Sequence, residues 1–333
     1  MEAVFICDLP QSIEQVYGGR IRTQMEQTIG ISPQVFGKQE VLADPARFAG
    51  TRFLFSTWGM PVFSEEEIAS CFPKLECVFY AAGTVQGFAR PFLNRGIRVF
   101  SAWGANGIPV AEYTVAQIIL ANKGFFRSSY LMRRGAVSEA RQIAHSYPGN
   151  YGETIGLLGC GIIGSAVAER LKDYCVKVIA FDPFLSEERA KALHVECCSL
   201  EDVFGRAQVI SNHLANNAET RQMLRYELFS RMRPNAVFLN TGRGAQVVEG
   251  DLVRVLEERE DLTAVLDVTD PEPPVSGHKF YELSNCILTP HIAGSIGDEV
   301  QRMAVFMMHA YERYVLGEKD PGEVTWNMLQ TMA

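Results

Sequence analysis

The chain has 333 residues, 47% of them hydrophobic and 21% charged, close to the soluble globular average; this excludes disordered, collagen-like and low-complexity architectures and leaves room for about two domains. A net charge of -8, a pI near 5.4 and the lack of any basic run argue against a nucleic-acid partner. No apolar stretch approaches the ~18 residues of a membrane span, and the start MEAVFICDLP puts Glu2 and Asp8 where a secretory leader would be basic and apolar, so a cytoplasmic protein is expected.

Short β-like runs open the chain: 3–8, 34–37, 52–57, 77–82 and 97–102, each rich in Val, Ile, Phe or Tyr and bounded by Gly, Pro or Asp. Helical patterns at 12–28, 64–71 and 88–95 lie between them. Ser64 with Glu67 three residues on is a capping-box signature. The alternation predicts a parallel sheet with helices on both faces. At 103–110 the Gly- and Pro-containing WGANGIPV reads as a crossover between domains. Helical runs at 109–124 and 125–144 follow. The second interleaves aromatics and bases, and in so acidic a chain it reads as a helix packed on a partner subunit or neighbouring domain. From 152 a second alternation begins, with strands in ETIGLLG, KVIAFD, HVECC, AQVISNH, NAVFLN, LTAVLDV and CILTPHI. The prediction is an α/β chain of two doubly wound parallel sheets. The eight cysteines form no C-x-x-C pair and read as buried, reduced thiols, so no metal site or disulfide framework is expected.

Strand 154–158 runs into Gly159-Cys160-Gly161-Ile162-Ile163-Gly164 and then a helical pattern. A strand before GxGxxG and a helix after it form the context that gives the motif meaning. Gly159 allows a tight turn, Gly161 lets backbone approach a pyrophosphate, and Gly164 lets helix and strand pack closely. The helix start then offers free N–H groups to phosphates. Asp182, 23 residues after Gly159, ends the second strand, where a carboxylate accepts ribose hydroxyls and repels a 2′-phosphate. That points to NAD rather than NADP. Asp182 also precedes Pro183, a turn pair compatible with the ribose role.

Ligands of open α/β sheets sit outside the carboxyl ends of the strands. Those ends carry Gly159, Asp182, His213, Thr241-Gly242-Arg243-Gly244, Asp267 and His291. Arg243, between glycines, suits a carboxylate or carbonyl oxygen. Glu272 lies in the proline-dense loop DVTDPEPPVSG. His291, in LTPHIAGS, can donate a proton near neutral pH when a carboxylate stands beside it. His145, His194, His278 and His309 read as structural.

These residues resemble the D-isomer-specific 2-hydroxyacid dehydrogenase family. GLLGCGIIG, AFDPF, the segment from HLANN to NTGRGAQVVE, AVLDVTDPEP and TPHIAGS carry the likeness, as does VAEYTVAQIIL. It is nearly continuous from about 104 to 297. The resemblance implies a flavodoxin-like substrate domain and a Rossmann dinucleotide-binding domain. It implies that Arg243 binds a 2-oxo acid, that His291 is the acid/base and that Glu272 orients it. NAD would be lined by Ile162, Ile163, Asp182, His213, Leu214, Ala215, Thr220, the Thr241–Arg243 turn, Asp267 and His291. Backbone N–H groups of Ala82, Gly83 and Thr84 would receive the substrate carboxylate. The family's formate-oxidising branch has glutamine where this chain has Glu272. Ala215 stands where Pro is usual and Gly242 where Ala or Ser is usual, and the AAGTVQGF loop lacks a common Asp. Trp58 and Trp103 flank the expected cleft.

The resulting expectation is hydride exchange between NAD(H) and a small 2-oxo or D-2-hydroxy acid in a homodimer joined through the dinucleotide-binding domain. An NAD-sensing corepressor and an NADP-dependent glyoxylate or hydroxypyruvate reductase are the alternatives. The domains are expected at 1–104 with 297–333, and at 105–296. A helix over 295–316, with Val300, Met303, Ala304, Met307 and Tyr311 on one face, is expected to cross back onto the first domain. Hinges would fall near 103–108 and 293–298.

Overall fold

The computed structural model describes residues 1–331, which divide into two compact units. The first comprises Met1–Gly107 and the chain from Ser295 on; the second is Ile108–Gly294.

The first unit holds five parallel strands: β1 (Ala3–Ile6), β2 (Val35–Phe36), β3 (Phe53–Ser56), β4 (Cys77–Tyr80) and β5 (Arg98–Ser101), in the order β2-β1-β3-β4-β5. Nearly every strand residue is buried, as expected of a parallel sheet covered on both faces. One face is a run of rings: Phe55 stacks on Phe79 at 4.9 Å and Phe79 on Phe100 at 5.0 Å, from β3 across to β5. The helix Val300–Val315 lays Met303, Ala304 and Met307 on that face and sets Tyr311 edge-on to Phe53. Its buried positions recur at three and four residues, which is why one stripe of a single helix suffices. The capping box forms: Ser64 Oγ accepts from the Glu67 N–H at 3.2 Å and Glu67 Oε2 from the Ser64 N–H at 2.8 Å. Such a cap is worth about 1 kcal/mol.

The second unit has seven parallel strands: β6 (Thr154–Leu158), β7 (Lys177–Phe181), β8 (Val195–Cys197), β9 (Val209–Asn212), β10 (Val237–Asn240), β11 (Thr263–Leu266) and β12 (Cys286–Leu288). Their order is β12-β11-β10-β9-β6-β7-β8. This is the Rossmann arrangement, and the first unit's order is the flavodoxin-like one. The loops after β6 and β9, which are neighbours that lead in opposite directions, part at the switch point where such sheets take dinucleotides.

Three expectations need correction. The stretch 103–110 is not an extended crossover: a helix begins at Trp103 and runs to Ala121 with Pro109 inside it. Pro109 withholds one N–H from the ladder, and the seam between the units falls two residues earlier, after Gly107. The patterns at 12–28 and 125–144 are each two helices, Pro10–Tyr17 with Arg20–Thr28, and Phe125–Arg133 with Val137–Ser146. Gly19 and Gly135, both at positive φ, break them. The cysteines are not all buried: Cys175, in the turn before β7, and Cys197, on the edge strand β8, are exposed. Among the described residues, no helix is long and apolar enough to cross a membrane, and no cluster of His, Cys, Asp and Glu could hold a metal.

Candidate active site

Gly159 leaves β6 at φ +89°, and a Cβ on it would lie 2.8 Å from the His213 carbonyl oxygen. A Cβ on Gly164 would lie 2.0 Å from the Gly159 carbonyl oxygen. Both glycines are therefore demanded by the packing of turn, helix and β9. Gly161 differs: a Cβ there would meet no protein atom. Its missing side chain leaves open space at the start of the helix Ile162–Leu171, whose first turn no side chain caps. Free N–H groups and an open approach are what a pyrophosphate requires, so the residues present fit a dinucleotide.

Asp182 stands at the end of β7. Its Oδ2 accepts from the Cys160 N–H at 2.6 Å and its Oδ1 from the Phe184 N–H at 2.8 Å. The acid thus shapes the Gly-rich turn and starts its own turn at the end of β7. Arg189 reaches back to the same turn, donating to the Cys160 carbonyl at 3.1 Å and Ser165 Oγ at 3.2 Å. The Cys160 thiol is pushed up to about 12 by burial and the nearby Asp182, which makes it inert.

His213 follows β9. Its Nε2 lies 2.9 Å from Ser211 Oγ, while its Nδ1 is shut off from solvent and has no partner among the described residues. Burial lowers its pKa to about 4, so the ring is neutral near pH 7. Leu214 and Ala215 continue that loop, and Thr220 ties it by donating to the Ala215 carbonyl at 2.5 Å.

Beyond β10, the Thr241–Arg243 turn is held by side chains that the sequence reading passed over. Asn212 and Asn240 end neighbouring strands in register, and both are buried. Asn212 Nδ2 donates to Asn240 Oδ1 at 3.0 Å and to Gln246 Oε1 at 2.5 Å. Asn240 Oδ1 accepts from the Gly242 N–H at 3.1 Å, and its Nδ2 donates to the Arg243 carbonyl at 3.0 Å. Gln246 Nε2 donates to the carbonyls of Leu214 and Ala215 at 2.7 and 2.9 Å. Three buried amides therefore clamp the 213–215 loop to the Arg243 turn. The available signal was two adjacent apolar strands, VISN and VFLN, each ending in Asn. Gly244 is required for a different reason: a Cβ there would fall 2.0 Å from the backbone carbon of Thr269.

Arg243 donates from Nη1 to its neighbour's carbonyl, Gly242 O, at 2.7 Å. Burial lowers its pKa, and the charge of Glu272 acts in the opposite sense. A guanidinium that has lost water gains on meeting a carboxylate. Glu272 Oε1 lies 2.7 Å from His291 Nδ1. An Nδ1–H donated to the carboxylate fixes the ring and leaves Nε2 free. His291 is itself held at φ +54°. The segment carrying it hangs on Asp267, which is buried and accepts from Thr289 Oγ1 at 2.6 Å and from the N–H groups of Ile292 and Ala293 at 2.8 and 2.9 Å. Arg243, Glu272 and His291 thus come together, and Asp267 braces them.

In the first unit, Ala82, Gly83 and Thr84 form the turn after β4. Ser101 Oγ donates to the Ala82 and Gly83 carbonyls at 2.9 and 2.5 Å. The Ala82 N–H is taken by Tyr80 O at 2.9 Å, so of the three donors expected here it is already spent. The N–H groups of Gly83, Thr84 and Val85 have no acceptor among the described residues.

The family model described as D-isomer specific 2-hydroxyacid dehydrogenase, NAD binding domain, matches residues 115–293. A D-3-phosphoglycerate dehydrogenase of Mycobacterium bovis is 28% identical over 263 residues, covering 78% of this chain and 49% of that one. The chain thus spans about half the length of such relatives. YoaD of Bacillus subtilis, named for a 2-hydroxyacid dehydrogenase, is 31% identical over 242 residues, 72% of this chain and 67% of its own. A crystal structure of a phosphoglycerate oxidoreductase from Rhizobium etli has the same fold, with a TM-score of 0.82 at 20% identity over 98% of this chain and 99% of that one. The Gly-rich turn, the acid after β7 and the Arg-Glu-His group fit these likenesses: the chain belongs to the D-isomer specific 2-hydroxyacid dehydrogenase family and contains its NAD-binding domain.

Proposed function

We propose that the chain interconverts a small 2-oxo acid and its D-2-hydroxy acid with NAD(H). The observation that carries this reading is the 2.7 Å pairing of Glu272 with His291 near a half-buried, partly desolvated Arg243. The second unit is read as the dinucleotide part. Gly159, Gly161, Ile162, Ile163 and Gly164 would hold the pyrophosphate and Asp182 the ribose. His213, Leu214, Ala215, Thr220, Thr241, Gly242, Arg243, Asp267 and His291 would complete the pocket wall. The first unit is read as the substrate part, receiving the carboxylate on the turn at Ala82–Thr84.

NADH supplies a hydride when bound. Arg243 binds the 2-oxo acid and polarises its carbonyl. Glu272 keeps the imidazole of His291 oriented through Nδ1. His291 gives a proton from Nε2 to the carbonyl oxygen as negative charge develops there, and takes it back in the oxidative direction. The hinges would fall near 103–108 and 293–298.

The helix Phe125–Arg133 buries none of its residues within the chain, and Phe125 and Met132 are exposed. This supports a homodimer joined there, which light scattering at micromolar concentration tests. A cytoplasmic location completes the reading.

The direct test mixes the protein with NADH and a panel of 2-oxo acids, follows loss of NADH and assigns the product's configuration by chiral chromatography. Turnover to a D-2-hydroxy acid is expected. NADH binding without turnover of any acid would favour the corepressor alternative, and faster turnover with NADPH the reductase one.

A further inference from the structure

The carboxyl ends of the first sheet carry a surface that the roles above leave unused. In the order β2-β1-β3-β4-β5 the chain reverses direction between β1 and β3, and open sheets take ligands in the crevice at such a point. Leu9 follows β1, and Trp58 and Val62 follow β3. All three are apolar yet 45%, 38% and 56% exposed. The loops bearing them are knitted together: the Asp8 N–H donates to the Gly59 carbonyl at 2.9 Å, and the Cys7 thiol to the Trp58 carbonyl at 3.2 Å. They also join the turn with the free N–H groups, since Thr57 Oγ1 donates to the Ala81 carbonyl at 2.8 Å. The apolar side chains therefore begin within a few residues of the donors read as carboxylate-binding.

Charged side chains stand at both ends of the sheet, and Asp8, beside Leu9, accepts from the Lys38 N–H at 2.8 Å. Arg52 and Arg98 stand at the amino ends of β3 and β5, engaged by Glu2, Glu76 and Glu323. At the carboxyl ends, the Lys38 ammonium donates to the Val62 carbonyl at 2.7 Å and pairs with Glu67 at 2.8 Å. Arg90 lies on the short helix Ala89–Asn94, exposed where Ala89 and Phe92 are buried. A phosphate or second carboxylate on the substrate asks for a guanidinium or ammonium at hand. An uncharged hydrocarbon asks for exposed apolar surface to cover.

We infer that the first unit selects 2-oxo acids with an uncharged apolar side chain, branched aliphatic or aromatic, seated against Trp58, Leu9 and Val62. This rests on reading the chain as an NAD-linked 2-hydroxyacid dehydrogenase. It differs from what the name phosphoglycerate dehydrogenase, carried by several relatives, describes.

The test compares kcat/KM with NADH for 4-methyl-2-oxopentanoate, phenylpyruvate, glyoxylate, 2-oxoglutarate and 3-phosphohydroxypyruvate. The two apolar acids are expected to lead by ~10-fold or more, the scale on which pocket contacts discriminate. Trp58→Ala should reduce their lead over glyoxylate about tenfold. Leu9→Ala, at a still more exposed position, should reduce it less and provides a second reading if Trp58→Ala folds poorly. A phosphorylated or dicarboxylic acid in first place, with its turnover lost in Arg90→Ala, overturns this inference alone. A lead that neither variant changes also overturns it. Absence of turnover with every acid overturns the dehydrogenase reading and this one with it.

Discussion

In the first unit, the loops after β1 and β3 carry exposed apolar side chains and the turn after β4 carries unpaired backbone N–H groups. In the second, the loops after β7, β9, β10 and β12 end in a carboxylate, an imidazole, a guanidinium and a second imidazole. The scaffolds beneath differ to match. Stacked phenylalanines fill one face of the first sheet, because a turn that works through its backbone needs only a rigid strand to stand on. Under the second unit's turns lie Asn212, Asn240 and Gln246, with carbonyls and N–H groups from two loops bonded to them. Side chains that must converge need their loops fixed relative to one another. Directional hydrogen bonds do this better than apolar packing. Side chains that must converge call for polar construction beneath them, whereas a surface of backbone donors and apolar side chains can rest on an apolar core.

The sharpest way to break that contrast is at His291. If the second unit carries the proton chemistry, His291→Ala should lower kcat by ~10²–10⁴, while NADH binding, followed by fluorescence titration, stays near its original strength. Near-normal kcat would mean that a group outside the second unit's Arg-Glu-His set supplies the proton.

Much of this contrast was legible in the sequence, and the exceptions have physical causes. GxGxxG, Asp182, Arg243, Glu272 and His291 stand out in the sequence because the chemistry proposed for each calls for one residue type, at a strand end or in the loop that follows it. The strands could be read because buried parallel strands are continuous apolar runs. Gln246 could not: an amide in AQVVE looks like a surface residue until two loops fold over it. Nor could the helical state of 103–110, where Gly104, Gly107 and Pro109 argue locally for a break and packing overrides them. Asp267 was read as a cofactor neighbour, and its grip on the backbone of 292–293 appears only once β11 and β12 are side by side. The exposure of Cys197 depends on β8 being an edge strand, which strand order alone decides.

Acid should weaken the polar construction before the apolar one. His213 has a folded pKa of about 4 against an ordinary 6.5. Between those values the unfolded chain holds a proton that the folded chain does not, so stability falls as pH falls. At about 1.4 kcal/mol per pH unit, the loss reaches at most about 3 kcal/mol by pH 4. It is absent above pH 6.5 and adds nothing further below 4. Urea midpoints at pH 7 and pH 4.5 should converge for His213→Asn relative to the unmodified protein, a comparison that cancels the shared contribution of carboxylates. Parallel pH profiles for the two would count against a buried neutral imidazole.

Removing one amide from the clamp should cost less. Gln246→Leu leaves the Leu214 carbonyl without its side-chain donor and takes an acceptor from Asn212, at about 1–3 kcal/mol for a buried orphan. Thermal unfolding reads that loss. The comparison adds a second expectation: KM for the 2-oxo acid should rise along with the dissociation constant for NADH, because one side chain holds both loops. A stability loss with both constants unchanged would reduce the clamp to ordinary core.

The smallest effect is expected at Asp182, where shape and recognition share one carboxylate. Asp182→Ala removes the negative charge that would oppose a 2′-phosphate, and also the acceptors for the Cys160 and Phe184 N–H groups. Asp182→Asn keeps an oxygen for one of those donors and removes only the charge. If charge decides cofactor choice, both variants should narrow the preference for NADH over NADPH, by about tenfold, the equivalent of about 1.4 kcal/mol. Ala should do so mainly by weakening NADH, and Asn mainly by admitting the 2′-phosphate of NADPH. If the turn's shape decides it, Asn should retain most of the preference and Ala should lose it. Steady-state kcat/KM with each cofactor, measured for the unmodified protein and both variants, separates the two. Equal kcat/KM for NADH and NADPH in the unmodified protein would mean that Asp182 does not select the cofactor.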